Sequence, residues 1–353
     1  MSHAIRRPGP ILTAGVAAAV VLTGCSSSDD ESADALVVST FPFGVEEFQE
    51  AVVDPFTEAT GIEVVLDTGS NSDRLSKLDL EGGGGSDVVL ISDYYAALGQ
   101  ESGLFQEVDA EQVPHLAEIA DFAVEEGYSG PAYSYQLNGT LYNTDELGAE
   151  EAADWGLYGS EAHAGRLALP DISVTAGQLM VSGVAETYGE GPYDIDAALD
   201  TLGGWAPGVL QFYTSTTEVT NLLAQGEIVA ADALSGFATE MVAAGEPVAW
   251  TPPASGSYMA TNRAMIPVGA AHAEDAHAFV DYLLSPEAQT ASAELVGDMP
   301  VHPDATVPAT ITDVVGDGAD DPIAAGYGTL DPAELVPTRG EWVERFAREV
   351  TAG

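Results

Sequence analysis

The chain is poor in cysteine and in positive charge, and each shortage removes whole classes of function. Cys25 is the only cysteine in 353 residues, so no internal disulfide can staple the fold and no site built from several thiolates can form. Nine lysines and arginines face 57 aspartates and glutamates, a formal net charge of −48, which excludes nucleic acid as a partner on charge alone. The acids are spread along the whole chain rather than gathered in a block, which fits adaptation to a salty or cation-rich exterior. Lys77 is the only lysine.

Motifs that carry chemistry are equally scarce. His272 and His277 lie five apart, a spacing that does not bring them onto one helix face, and the other histidines are scattered; no metal site and no cofactor is expected. The glycine run 82–85 has no following Lys-Ser/Thr and precedes a strand-like segment, so it is a turn rather than a phosphate loop. There is no Gly-x-Ser-x-Gly elbow and no internal repeat. Val64-Val65-Leu66-Asp67-Thr68-Gly69-Ser70 looks like an aspartic-protease signature, but such an enzyme needs a second Asp-Thr/Ser-Gly so that two carboxylates share a proton. None is present, and residues 73–80 read as a helix, which leaves a secreted aspartic hydrolase as the weaker alternative.

What is present starts with the cysteine. Arg6 and Arg7 are followed by an apolar and small-residue run over 11–22, too short for a bilayer span of about 20 residues, and then by Leu22-Thr23-Gly24-Cys25. Residues 1–24 therefore read as a secretory signal. The Leu-Thr-Gly-Cys order resembles a bacterial lipobox, in which Cys25 becomes the lipidated first residue. Residues 25–35 then form an acidic tether, and losing Arg6 and Arg7 moves the charge from −48 to −50.

The body has enough length and apolar content for two lobes that share the chain. Residues 36–38 read as a strand; Phe48, Val52 and Phe56 recur at helical spacing up to Gly61; 62–66 is a strand, 74–80 a helix and 88–91 a strand covered on both faces. That alternation predicts a parallel sheet. A second α/β unit begins near residue 139, with a strand at 167–169 and a helix at 178–188. Residues 274–284 form a helix, Ser285 and Pro286 start another, and the chain after about 305 is loop-rich until a short amphipathic helix over 339–350.

In open α/β sheets ligands lie beyond the carboxyl ends of strands. The residues that end apolar runs are Thr40 and Phe41, then Asp93 and Tyr94, then Asp232 after the run 228–231. Tyr213, Thr214 and Glu218 mark an expected helix start. Tyrosines with acids at Asp93, Glu218 and Asp232 favour a small organic cation. The competing reading is an anion such as a phosphonate, held by hydroxyls and backbone N–H groups at helix starts over 173–177, which includes Thr175, and 214–217.

Pro55-Phe56-Thr57-Glu58-Ala59-Thr60-Gly61-Ile62, Ser92-Asp93-Tyr94-Tyr95, Ser102-Gly103-Leu104-Phe105, Tyr142-Asn143-Thr144 and the run from Phe279 to Gln289, taken in order with the lipobox, resemble the extracellular solute-binding lipoproteins of ABC importers. The spermidine/putrescine-binding branch is the nearest, overlapping with iron, thiamine and phosphonate binders. The resemblance implies a two-lobed type II periplasmic-binding-protein fold with a ligand cleft between the lobes. It further implies a binding protein rather than an enzyme, a monomer on the cell surface that passes a small solute to a permease and its ATPase. Lobe 1 is then 36–136 with 258–305, and lobe 2 is 137–257 with 306–353, with crossovers near Gln136 and Ser257. Polyamine binders carry an aspartate and a nearby tryptophan shortly before the Ile-Pro at 266–267. This chain has Asn262 and Ala260 there, so that amine-anchoring carboxylate is absent.

Overall fold

A computed structural model describes residues 35–352 except Glu126. The signal, Cys25 and nearly all of the tether lie outside the described residues. The described residues form eleven strands: β1 (Leu36–Thr40), β2 (Val64–Thr68), β3 (Val88–Ser92), β4 (Phe105–Gln106), β5 (Ala132–Asn143), β6 (Leu167–Pro170), β7 (Gln211–Tyr213), β8 (Ala230–Leu234), β9 (Val248–Thr251), β10 (Met259–Pro267) and β11 (Met299–Pro300).

β1 pairs in parallel with β2 and with β3, as the strand and helix alternation predicts. β3 is buried along its whole length, whereas β2 is the edge strand with Val65 exposed. The helix leading into β2 ends at Gly61, whose φ of 78° is the left-handed conformation that a helix stop needs. β10 then adds antiparallel to β3. The second α/β unit repeats the plan, with β6 parallel to β7 and to β8.

β5 joins the two units. Its first half, up to Leu137, pairs with β10, and from Asn138 onward it lies between β8 and β9. A register shift between Asn262 and Arg263 marks a bulge in the β10 and β5 pairing, a device that re-aims side chains. One apolar cluster runs across both units, from Leu36, Phe56 and Val88 to Tyr213, Ala231 and Trp250, and another gathers Trp155, Leu169, Met180, Trp342 and Phe346.

Ser285 caps the helix Pro286–Leu295 by accepting from the Ala288 N–H at 3.2 Å, with Pro286 in its first turn. Two expectations are corrected. The chain after 305 carries a helix at Ala309–Val315 that packs on the helix Ser235–Ala243; its β-branched sequence hides it, and burial of Ile311 and Val315 four apart decides it. The last helix runs Pro332–Phe346 rather than starting at Arg339, with Asp331 as its cap and Pro337 inside it. Burial of Leu335, Val336, Trp342 and Phe346 outweighs the lost proline N–H.

Candidate functional site

A cavity lies where β3 runs into the helix Asp93–Glu101 and faces the first turns of the helices Thr175–Tyr188 and Pro332–Phe346. Its wall includes Ser92, Asp93, Tyr94, Tyr95 and Tyr128 from one side and Thr175, Gln178, Leu335 and Arg339 from the other. Gly177 lets the second side close up: a Cβ there would stand 2.0 Å from the Asp171 carbonyl oxygen, so only glycine seats the helix start against that turn. The enclosed space is about 20 Å³, room for about one water. Beside it an open groove of about 640 Å³ includes Glu101, Glu125, Tyr193 and Asp331 in its wall.

Asp93 stands at the start of its helix and ties that start to β10. Its Oδ1 accepts from the Tyr94 N–H at 2.7 Å and its Oδ2 from the Thr261 N–H at 3.1 Å. Burial pushes the Asp93 carboxyl up, opposed by those two N–H groups and by the positive charges of Arg263 and Arg339. Burial likewise pushes the Arg263 guanidinium down, so each charge offsets part of the other's desolvation. Arg263 lies 3.4 Å over the Tyr128 ring and donates to the Gly130 carbonyl and to Glu125 Oε2, both at 3.2 Å. Arg339 lies 4.2 Å over the Tyr94 ring. It donates through Nε to Gln178 Oε1 at 3.1 Å and through Nη2 to the carbonyls of Ile172 at 3.1 Å and Ser173 at 3.2 Å.

Of the residues anticipated from sequence, the cavity brings together Asp93, Tyr94 and Thr175. Thr40, Phe41, Tyr213, Thr214, Glu218, Asp232 and Asn262 are not in its wall. Phe41 carries the Arg74 guanidinium at 5.0 Å, and Asn262 Nδ2 donates to Ser134 Oγ. Thr214 and Glu218 are exposed, the first just before the helix Thr216–Ala224 and the second in its first turn.

The expected strand end at Asp232 is corrected: β8 starts at Ala230, so Asp232 is its middle residue, fully buried, and accepts from Asn138 Nδ2 at 2.9 and 3.2 Å. Burial drives its carboxyl well above the usual carboxylate range. Tyr213 is buried with it and donates to the Asp232 carbonyl at 2.7 Å. Asp67, the residue that suggested a protease, is ion-paired with Lys77 at 2.7 Å on the surface.

Sequence reasoning missed Arg339, Gln178, Arg263 and Glu125. A signal existed for the first: Leu335, Arg339, Trp342 and Phe346 follow one helical stripe, and an arginine on an apolar stripe in a chain so short of cations is a candidate site residue.

No group of three or more metal-ligating side chains occurs among the described residues, and no described helix is long and apolar enough to cross a membrane. The architecture and cleft are those of a two-lobed periplasmic-binding protein. Residues 51–319 match the family described as bacterial extracellular solute-binding protein, and the chain belongs to that family. That family is one of solute-binding proteins rather than of enzymes.

Among its relatives is the spermidine/putrescine-binding periplasmic protein 1 of Haemophilus influenzae, 26% identical over 78% of this chain and 79% of that one. An ABC transporter structure from Clostridium perfringens superposes with a TM-score of 0.76 at 28% identity, covering 89% of this chain and 99% of that one. The spermidine/putrescine substrate-binding protein of Streptococcus pneumoniae superposes at 0.71 with 19% identity, over 90% and 99% of the two chains.

Proposed function

We propose that this protein is a monomer held by a lipid on Cys25 at the outer face of the cytoplasmic membrane, where it captures a small organic solute and hands it to a permease. The observation that carries the reading is the cavity, whose wall is shared by two α/β units joined through β5 and β10. The lobes are 36–136 with 258–305 and 137–257 with 306–353, and the crossover strands are the hinge. In support, β5 changes sheets between Leu137 and Asn138, and the enclosed space of about 20 Å³ admits a solute only when the lobes part.

A second reading gives the solute amine groups. The polyamine names of the curated relatives favour it, as do Glu101, Glu125 and Asp331 along the neighbouring groove.

The test is made in membranes of the native host. Cross-linking of the wild-type protein should recover ABC permease subunits, and Cys25→Ser should move the protein to the soluble fraction or leave the precursor unprocessed. Recovery without any permease subunit, or a Cys25→Ser protein that stays processed and membrane-bound, would sink the reading.

A further inference from the structure

Two hydrogen-bond donors in the wall of the inner cavity have no acceptor among the described residues. Gln178 is 4% exposed, its Oε1 is committed to Arg339, and its Nε2 has no hydrogen-bond partner. Such an orphan in a binding wall points to an acceptor that arrives with the ligand. Arg339 spends Nε and Nη2 on Gln178, Ile172 and Ser173, which leaves Nη1 with no protein hydrogen bond among the described residues. The helix Thr175–Tyr188 is 14 residues long and opens on Val174, which has no polar side chain to cap it. No side chain caps its first N–H groups, and the positive end of its dipole lies at Thr175, in the cavity wall. The one carboxylate in this wall, Asp93, accepts from two backbone N–H groups and lies near two guanidinium groups.

We infer that the solute carries an anionic oxygen group, a carboxylate or a phosphoryl, which enters this cavity to accept from Arg339 Nη1, Gln178 Nε2 and the first turn of the helix Thr175–Tyr188. The inference rests on the capture of a solute in this cavity and assigns the charge of the solute's buried end. Arg339 is rigid before binding, because two carbonyls, one amide and the Tyr94 ring fix its plane. A planar guanidinium so oriented suits a carboxylate or phosphoryl group. An amine at the same depth would meet the guanidinium and leave the Gln178 amide hydrogens unpaired. Amine groups elsewhere on the solute would instead face the acidic groove at Glu101, Glu125 and Asp331.

Four probes with short chains separate the charges: putrescine with two amines, 4-aminobutyrate with one amine and one carboxylate, succinate with two carboxylates, and 3-aminopropylphosphonate with a phosphonate. Spermidine is the fifth. Calorimetry on the purified protein should show at least one anion-bearing probe binding at least about 10-fold more tightly than putrescine, and the carboxylate and phosphonate arms tell the two sources apart. Gln178→Glu keeps the oxygen that Arg339 needs and removes the amide hydrogens. It should weaken the anionic probe about 10- to 100-fold and leave putrescine equal or tighter. Arg339→Gln should do the same, and if that variant fails to fold, Gln178→Glu carries the test.

Putrescine or spermidine binding as well as or better than every anionic probe overturns the inference. So does an anionic probe that Gln178→Glu leaves unchanged, and so does the absence of binding by all five. In each case a permease cross-link that persists leaves solute capture standing, while its absence removes both.

Discussion

The six arginines that follow the signal divide into two sets of three that behave differently. Arg74, Arg263 and Arg339 are buried, each against an aromatic ring, and each donates to backbone carbonyls: Arg74 to Gly69 and Leu90, Arg263 to Gly130, Arg339 to Ile172 and Ser173. Arg166, Arg345 and Arg348 sit outside, paired with Glu146, Asp196 and Glu349 at side chains in contact with solvent. The exterior set decorates a surface with a large excess of acid. The interior set joins segments far apart in sequence, and two of its members flank Asp93 in the cleft. Burial pushes Arg74 down to about 10, so even that one is charged at neutral pH. A chain this short of cations keeps three of these six arginines where their desolvation is most costly, which marks the interior positions as architectural or functional.

Removing an interior arginine should produce the largest effect. Arg263→Met deletes the buried charge that faces Asp93 and Glu125, leaving the Asp93 carboxyl with Arg339 as its one remaining guanidinium and Glu125 without its ion pair. Breaking a buried pair from one side costs about 3–5 kcal/mol, and urea denaturation should show a loss of that size. A loss under about 1 kcal/mol would erase the distinction between the two sets.

The same contrast explains what the sequence disclosed. The parallel units, the Ser285 cap and the Gly61 stop were legible because each follows from local periodicity or from a residue with special backbone chemistry. Asp93, Tyr94 and Thr175 were legible as polar residues at strand ends and helix starts. Gln178 and Arg339 were not, because each lies inside a helix and their partnership spans 161 residues. Asp232 misled for the opposite reason: an acid after an apolar run looks like a strand end, yet its burial is made possible by Asn138, which lies 94 residues away on β5. The helix at Pro332 was hidden by Pro337, although Asp331 followed by Pro332 was itself a readable start.

An interior acid sharpens the comparison with the sign reversed. Asp298 is held at about 6 by burial, opposed by hydrogen bonds from Ser292 and Ser134. Its folded value lies above the unfolded value of about 3.9, so the fold binds a proton that the unfolded chain has released. That contribution is complete below about pH 4 and is lost as pH rises through about 6. Asp298→Asn, which is neutral at every pH, should remove this part of the pH dependence and gain on the wild type by about 2 kcal/mol between pH 4 and pH 7. Parallel melting curves for the two proteins across that range would show that the acid is not shifted.

The smallest effect belongs to the exterior set. Arg166 donates to Glu146 from both terminal nitrogens, Nη2 to Oε1 at 2.7 Å, and the geometry is as good as a surface pair allows. Both side chains are more than a third exposed, so water competes for each hydrogen bond and two flexible chains must be ordered to hold them. A double-mutant cycle of Arg166→Ala and Glu146→Ala should therefore give a coupling of about 0.2–1 kcal/mol. Raising the salt to 1 M shortens the screening length to about 3 Å, and the coupling should fall further. The neighbouring acids of this chain make the expectation more specific. Arg166 also relieves repulsion among them, so the single variant Arg166→Ala should recover part of its small loss as salt rises, while Glu146→Ala should not. A coupling above about 2 kcal/mol that is insensitive to salt would mean that the exterior pair behaves like an interior one, and position inside or outside would no longer separate the two sets of arginines.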